Sequence, residues 1–433
     1  MAATTTSNFA NFLIRVYSRE KFAPFERSLT KFLDSLEDAA DEPAVGTGRR
    51  FGIRVSDAHA VAPAAEGSVF PDLAQPSVLQ AEVTPVSIVA AFGLSEQALV
   101  RGVGDGTLNQ SILNDHVVMT IRNLLSAVNR YTVAGHNTGR MALVNANTIA
   151  ATTFVGKLPE GNFQLRRGMT IDFFDTDTAG SKQGATETIL AINYSTRTVT
   201  IGNARSLTAD WGIYKALTSS VSGYGVAPQG LRGIADDGTL QGTIFGLSRS
   251  TNPSLNAVVL TASASSPQAF SEQLVRKALH LIELQADVEG TEIWCNLGII
   301  DEYLKVTVPD RRYNVNGADV PDYKMGYKPE SLGFQYGGKV IPFKVDKDYP
   351  CREFTVCTKP YFRRHITKKA SWVGDGTAEA GSGSAMLLQA PSTTTYSFNK
   401  IAAQMWDGTI SHRQPALNAR VTNTADSTLA GDA

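Results

Sequence analysis

Cysteine is scarce in this sequence of 433 residues, which contains three. Cys295, Cys351 and Cys357 make an odd number and no C-x-x-C pair, so they fit neither a disulfide framework nor a zinc site. We therefore expect a reducing compartment. Buried structural roles are expected for Cys351 and Cys357 rather than nucleophilic ones.

An excess of charge of one sign is also lacking, because 40 Lys and Arg residues balance 41 Asp and Glu residues. This balance argues against nucleic-acid binding through a strongly basic surface. No apolar run approaches the roughly 20 residues that span a bilayer. Arg15, Arg19 and Glu20 interrupt the short apolar run near the N-terminus, so we expect no signal peptide.

Catalytic and metal-binding motifs are missing or incomplete. Residues 333–340 have the G-x4-G-K spacing of a phosphate loop, but Val340 stands where Ser or Thr must hold magnesium. A calcium-like run that begins at Asp175 lacks two of its ligands, and the helical His280 lacks the second histidine of a zinc site. The sequence contains no G-x-S-x-G elbow. We predict no enzymatic activity, cofactor or metal.

A long amphipathic helix is the strongest positive feature. Residues 108–131 carry apolar side chains at a spacing of three to four: Leu113, Val117, Ile121, Leu124 and Val128. At about 1.5 Å per residue this helix would be about 36 Å long, enough to brace a domain. An ordinary core helix is the alternative.

The N-terminal region predicts two short helices, at residues 8–22 and 26–40. Their aromatic and aliphatic side chains are too apolar to face water, so we expect them to pack under a larger assembly or against a neighbour. These side chains are Phe9, Phe12, Phe32 and Leu36.

A two-stranded hairpin follows. Phe51, Ile53 and Val55 alternate with polar or small residues, and a returning strand lies around residues 79–83. The connection 57–76 is rich in Ala, Pro and Gly, and the hairpin lacks the apolar content to fold alone. Either the pattern marks no hairpin, or the hairpin is an arm that lies on another subunit; we favour the arm.

The rest of the chain predicts a small β-rich, barrel-like region over residues 141–266, followed by a mixed region. The mixed region is predicted to contain a helix at 267–289 capped by Ser266, a strand at 292–296, a helix at 298–306, a polar loop at 308–338, and strands at 339–345, 353–357 and within 386–422. A basic cluster at Arg363 and Arg364 is either a solvated face or an inter-subunit salt-bridge site.

Several short segments in this order resemble the major capsid protein of double-stranded-DNA tailed bacteriophages, which has the Hong Kong 97-type fold. They include Cys295-Asn296-Leu297 before a short helix, the run from Leu332-Gly333 to Pro342, Met405-Trp406-Asp407-Gly408, Gln414-Pro415-Ala416, and Gly230-Leu231. The resemblance covers nearly the whole chain.

The resemblance implies an α+β Hong Kong 97-type capsid fold with a β-rich insertion domain. The implied parts are an N-terminal arm (1–48), an extended β-hairpin loop (49–92), a peripheral domain with a long spine helix (93–140), the β-rich insertion and connector (141–262), an axial domain (263–385), and closing peripheral strands with a tail (386–433). The insertion would serve either inter-subunit contact or folding support.

The implied function is that of a structural coat protein, which assembles as hexamers and pentamers into an icosahedral head around double-stranded DNA. The implied partners are further copies of the chain, a portal, decoration proteins where they occur, and packaged DNA through weak contacts, without a membrane. Because only residues 1–48 precede the hairpin, we expect a separate scaffolding protein. The expected location is the virion capsid, assembled in the host bacterial cytoplasm. An encapsulin-like compartment shell is the alternative.

Two further expectations concern contacts between subunits. The residues expected there are Phe51, Ile53, Arg54, Glu82, Arg311, Arg312, Arg363 and Arg364. Some members of the resembled family join neighbours by an isopeptide bond from a lysine of the hairpin. Here no lysine occurs between Lys31 and Lys157, so we predict a non-covalent shell.

Overall fold

The computed structural model describes residues 30–39, 44–45, 48–56, 63, 75–95, 108–176, 180–217, 222–262, 266–286, 288–307, 333–372, 388–389 and 399–429. The chain forms two compact units. The first comprises Met1–Ser35, Pro85–Asn129 and His365–Gly408, and the second comprises Leu36–Thr84, Arg130–Arg364 and Thr409–Ala433.

The helices and strands of the described residues are numbered in chain order. The helices are α1 (Lys31–Asp34), α2 (Leu108–Ala134), α3 (Leu231–Ile234), α4 (Glu272–Ala286) and α5 (Leu297–Thr307). The strands are β1 (Glu37–Asp38), β2 (Ala44–Val45), β3 (Gly48–Ser56), β4 (Ser77–Val83), β5 (Val86–Ser95), β6 (Arg140–Leu143), β7 (Thr148–Val155), β8 (Thr170–Phe174), β9 (Glu187–Asn193), β10 (Thr198–Leu207), β11 (Gly212–Lys215), β12 (Thr243–Ile244), β13 (Leu247–Ser248), β14 (Val258–Thr261), β15 (Glu292–Cys295), β16 (Gly333–Tyr336), β17 (Lys339–Val345), β18 (Phe354–Cys357), β19 (Phe362–Trp372), β20 (Leu388–Gln389), β21 (Asn399–His412) and β22 (Ala419–Thr422).

The first unit contains most of the long helix α2 and a sheet. Leu124 and Val128, one helical turn apart on the predicted apolar face, are both buried. In the sheet β21 pairs with β19 and with β20, and β5 pairs antiparallel with β21 along all ten of its residues. The predicted helix is confirmed, and it extends three residues beyond the predicted end.

A six-stranded sheet in the second unit closes into a barrel. Its strand order is β6-β11-β8-β9-β10-β7. The two end strands meet through a bridge between Val144 and Gly156, and the Lys157 N–H donates to the Leu143 carbonyl at 2.7 Å. Buried apolar side chains alternate along the strands and fill the interior; they include Met141, Phe154, Ile171, Phe173, Ile189, Val199, Ile201 and Ile213.

A second six-stranded sheet has the order β14-β22-β18-β15-β17-β16 and mixes parallel with antiparallel pairs. Helix α4 contributes Val275, Ala278, Leu279 and Ile282 to the core on this sheet, at the spacing of one helical face. Asn296 caps α5, because its side-chain oxygen accepts the Ile299 N–H at 3.1 Å.

The predicted hairpin is present as β3 and β4, and β2 pairs with the other edge of β3. Phe51 pairs with Ala81, and both side chains are buried, as is Ile53. The Phe51 ring meets the Phe245 ring edge-on at 5.4 Å, so the base of the hairpin packs on its own chain.

Some local predictions are wrong. The predicted helix 26–40 ends at Asp34, and Glu37–Asp38 are a strand that pairs in parallel with the start of β19. Helix α4 begins at Glu272 rather than near Pro267, because the Ser271 hydroxyl accepts the Gln273 N–H. Residues 333–336 of the predicted polar loop form β16. Predicted helix 8–22 and residues 308–332 of that loop lie outside the described residues.

Candidate functional site

The residues expected at subunit contacts lie in several places. Phe51 is 8% exposed and Ile53 is fully buried, so both side chains pack within their own chain. Arg54 is exposed on the opposite face of β3. Within its described residues, the hairpin exposes the face of β3 that carries Arg54. The inter-subunit role of all three residues stays a prediction.

The predicted charged contacts form ion pairs within the chain. Glu82 accepts from the Arg50 guanidinium at 2.9 Å, with each side chain 42% exposed. On β19 the Arg363 and Arg364 guanidinium groups bind Glu37 and Asp38 of β1, at 3.1 and 2.6 Å.

These pairs are exposed on their acidic side, and exposed pairs contribute little to stability. Arg311 and Arg312 lie outside the described residues. Whether any of these arginines also contacts a second subunit stays a prediction.

The backbone of β4 has an outward-facing edge. The Glu82 N–H donates to the Phe245 carbonyl at 3.0 Å rather than to β3, so it points away from the hairpin partner. Antiparallel pairing alternates inward and outward groups, so the backbone groups of Gln80 and Val78 point outward as well. In the described part of the chain no strand pairs with this edge of β4.

A chain of six alternating charges is buried in the second unit, and we call it the buried ion-pair network. In order of contact it consists of Arg140, Glu160, Arg232, Glu353, Arg420 and Asp236. The Glu160 carboxylate accepts hydrogen bonds from the guanidinium groups of Arg140 and Arg232. The bond from Arg232 Nη1 is 2.7 Å long. Arg232 also donates to Glu353 through Nε at 2.8 Å and Nη2 at 3.2 Å.

The network continues to strand β22 of the second six-stranded sheet. Arg420 of β22 donates to Glu353 at 3.1 Å and to Asp236 at 2.7 Å. Asp236 also accepts the backbone N–H groups of Gly238, Leu240 and Gln241. Each of the six side chains is at most 8% exposed.

The pKa shifts follow from burial and from the partners. Burial by itself raises the pKa of the Glu160 carboxyl, but Arg140 and Arg232 outweigh it and hold that pKa well below its usual range. Arg420 and the backbone N–H groups likewise lower the pKa of Asp236 against the effect of burial. Burial, reinforced by Arg140, keeps His136 neutral by lowering its pKa.

The network joins four separate segments of the second unit. Arg140 and Glu160 belong to the barrel region, and Arg232 and Asp236 belong to the connector around α3. Glu353 immediately precedes β18, and Arg420 belongs to β22. Because every charge has an opposite partner and little access to solvent, this arrangement holds segments together and offers no accessible nucleophile or base.

Within the described residues, no cluster of three His, Cys, Asp or Glu side chains has the geometry to hold a metal ion. Burial raises the pKa of the Cys351 and Cys357 thiols, which favours their unreactive protonated form. None of the described helices is both long and apolar enough to cross a membrane.

Sequence reasoning missed the network entirely. Arg232 and Glu353 are 121 residues apart, and Arg420 and Asp236 are 184 apart, so no spacing rule links them. The only local signal is Arg232 inside the short apolar helix α3, where an unpaired charge would be costly.

The comparisons with known proteins concern the fold. No family model matches the chain, and no curated protein matches it. The structure is similar to a chain of the cyanophage A-1(L) capsid asymmetric unit, with a TM-score of 0.54 and 10% identity over 97% of this chain and 99% of that chain.

Two other solved structures are similar at lower scores. A capsid chain of the native GTA particle gives a TM-score of 0.47 at 9% identity, covering 98% of this chain and 100% of that chain. A chain of Mycobacterium phage Bobi gives 0.46 at 8% identity, covering 97% and 99%. The cyanophage comparison confirms the predicted fold class: the chain has the Hong Kong 97-type capsid fold.

Proposed function

We propose that this protein is the major structural subunit of a tailed-bacteriophage head, and that its copies assemble as hexamers and pentamers into an icosahedral shell around double-stranded DNA. The observation that carries the proposal is the similarity in fold to the cyanophage capsid chain over nearly the full length of both chains. A role in a shell also accounts for the outward edge of β4, with which no strand of the described residues pairs and which a monomeric protein would have reason to protect.

We propose further that the boundaries expected from the sequence divide the chain by role. The hairpin of residues 49–92 would be the arm that reaches a neighbour, and residues 141–262 would form the insertion and connector. The buried ion-pair network supports a role for the insertion in stabilising its own chain, because Glu160 and Arg232 lie in this segment and Arg232 binds Glu353, which in turn binds Arg420 of β22.

The proposed partners are further copies of this chain, a separate scaffolding protein, a portal, and decoration proteins where they occur. Contacts with packaged DNA would be weak, because the formal net charge of the chain is −1. The proposed location is the virion capsid, after assembly in the cytoplasm of the bacterial host.

An encapsulin-like compartment shell is the second candidate, and the similarity to a phage capsid chain makes it the less favoured one. The two candidates differ in their contents. Particles purified after infection or co-expression should contain nucleic acid that survives nuclease treatment if the protein is a viral coat. Particles that enclose an enzyme and no protected nucleic acid would support the compartment instead.

Electron microscopy of negatively stained protein tests the shared part of both candidates. The protein is expressed alone and together with a scaffolding protein, and fractions are separated by sedimentation. We expect closed shells of uniform diameter in the co-expressed sample. A protein that stays monomeric in both samples would refute the proposed function.

A further inference from the structure

Within the described residues, no strand pairs with Val86–Ala91 of β5 on the side away from β21, and the composition of this edge is unusual for an edge strand. Its ten residues, Val86–Ser95, include no charged side chain and no proline. Val89 is 52% exposed, and Ser87 is also exposed. Edge strands of soluble proteins usually carry charges, prolines or bulges that prevent pairing with another chain. The edge of β5 has none of these over Val86–Ala91, and within the described residues its strand partner is β21.

The outward edge of β4 has a matching character. Residues 77–81 are uncharged, and the nearest charge, Glu82, is already paired with Arg50. Val78 is 62% exposed, and Gln80 is exposed beside it. Two neutral edges can approach without desolvating an unpaired charge, and backbone hydrogen bonds between them need no side-chain chemistry.

The two edges belong to different strands of the chain, and this determines what kind of assembly their pairing produces. A contact between two different surfaces is heterologous, so each copy offers one edge to the preceding copy and the other edge to the next. Such contacts close into rings when the rotation between copies is suitable. Pairing of β5 with β5 of another copy would instead be two-fold and would stop at a dimer.

We propose that the outward edge of β4 in one copy adds as a strand to the edge of β5 in the next copy, so that one sheet continues across each contact within a hexamer or pentamer. This inference rests on the proposed function and specifies its subunit contact. It also gives Val78 and Val89 a role, since their exposed side chains would lie near the joint between two copies.

Engineered disulfides test the pairing directly, because the three natural cysteines are fully buried and give no background. Paired strands place opposite Cα atoms about 4.5–5.5 Å apart, within the range that a disulfide spans. Four double variants cover neighbouring registers: Val78→Cys or Gln80→Cys, each combined with Ser87→Cys or Val89→Cys. All four positions are exposed, so the substitutions leave the core intact.

Shells of each double variant are oxidised, denatured and separated on a gel without reductant. We expect at least one double variant to give a ladder that ends at covalent pentamers and hexamers and collapses to monomer when reductant is added. The single variants should stay monomeric. The matched control combines Val78→Cys with Val226→Cys, which is 60% exposed but lies on neither edge, and should give no ladder.

Two results would overturn the inference. Covalent dimers from Val89→Cys alone would show that β5 pairs with itself. Closed shells in which no double variant cross-links above the Val226 control would show that these edges do not meet, and the proposed function would still stand because shells had formed. Failure of the unmodified chain to form any shell counts against the proposed function instead.

Discussion

Arg232 shows at the scale of one residue why the buried ion-pair network stabilises the fold. Its guanidinium lies between Glu160 and Glu353, and burial is offset by both carboxylates, which raise its pKa. Removing the guanidinium leaves two carboxylates with excess negative charge in a site that excludes water. The loss of stability therefore comes from the buried carboxylates of Glu160 and Glu353, which lose a positively charged partner, rather than from the strength of the ion pairs themselves.

Replacement of Arg232 by Met should lower the free energy of unfolding by about 3–5 kcal/mol, because an uncompensated charge stays buried. Arg50→Met is the matched control, since Arg50 also binds a carboxylate but is 42% exposed. That change should cost less than about 1 kcal/mol. Urea unfolding of the subunit measures the free energy of unfolding of both variants. Equal decreases in the two variants would contradict a stabilising role for the buried ion-pair network.

His412 should make the stability of the subunit depend on pH. Burial lowers its pKa to about 3, and its Nδ1 accepts the Gln414 N–H at 3.1 Å. Between about pH 6.5 and 3 the unfolded chain binds a proton at this histidine that the folded chain refuses, so stability falls as pH falls. The slope from this group approaches about 1.4 kcal/mol per pH unit.

His412→Gln should therefore flatten the decline in unfolding free energy between pH 6 and 4, as measured by urea titrations at several pH values. The buried His136 acts in the same direction and leaves a residual slope. His280→Gln, at an exposed position, is the control for the loss of one histidine. An unchanged slope in His412→Gln would mean that His412 is accessible to protons in the folded chain.

At the scale of elements, periodic segments could be predicted from the sequence and charged strands could not. The apolar spacing of α2 and the alternation of β3 gave both elements their correct type. Strand β19 was missed because Arg363, Arg364, Lys368 and Lys369 break the alternation, although Phe362 is fully buried and the two arginines bind β1. Tertiary pairing decided its structure.

The N-terminal helix illustrates a partial success. Phe32 was expected to be buried by a shell or a neighbour, and it is 1% exposed within its own chain. Phe32→Ala should therefore lower the melting temperature of dissociated subunits as well as of shells, with a loss of about 3–5 kcal/mol. Leu284→Ala, at a position that is 82% exposed, is the control. Calorimetry measures the melting temperatures of dissociated subunits and of shells. A lower melting temperature in the shells alone would contradict the burial of Phe32 within its own chain.

The hairpin as an element should serve assembly rather than folding. Ser56 and Ser77 are paired across its open end, so the connection 57–76 can be replaced by the two-residue turn Asn-Gly. The shortened subunit should unfold at the same urea concentration as the wild type, because the packing of Phe51 and Ile53 is kept. We expect it to form no closed shells in electron micrographs, and normal particles would refute the role of the arm.

At the scale of the whole molecule, the order of segments carried more information than any motif. The long helix, barrel, second helix and closing strands follow one another as predicted, and together they match a known fold at 10% identity. The buried ion-pair network could not be predicted, because its six residues meet only once these segments are folded together. Sequence order therefore predicted the architecture, while the charges that stabilise it depend on three-dimensional contacts.

Shells of this protein should be held together without covalent bonds between subunits. The resembled family's cross-link needs a lysine on the hairpin, and no lysine occurs between Lys31 and Lys157. Arg50 and Arg54 cannot replace it, because a guanidinium stays protonated at neutral pH and is not a nucleophile. Backbone pairing between strand edges, of the kind inferred for β4 and β5, needs no such chemistry and is reversed by denaturation.

Mature particles boiled in detergent with reductant should therefore run as a single band near 46.4 kDa. The matched comparison is an oxidised cysteine variant run without reductant, which shows where linked rings would migrate. If the unmodified protein gave pentamer and hexamer bands that persist in reductant, a nucleophile outside the hairpin would have to reach the neighbouring subunit. Lys31 and Lys157, which flank the lysine-free stretch, would then be the first residues to replace by arginine.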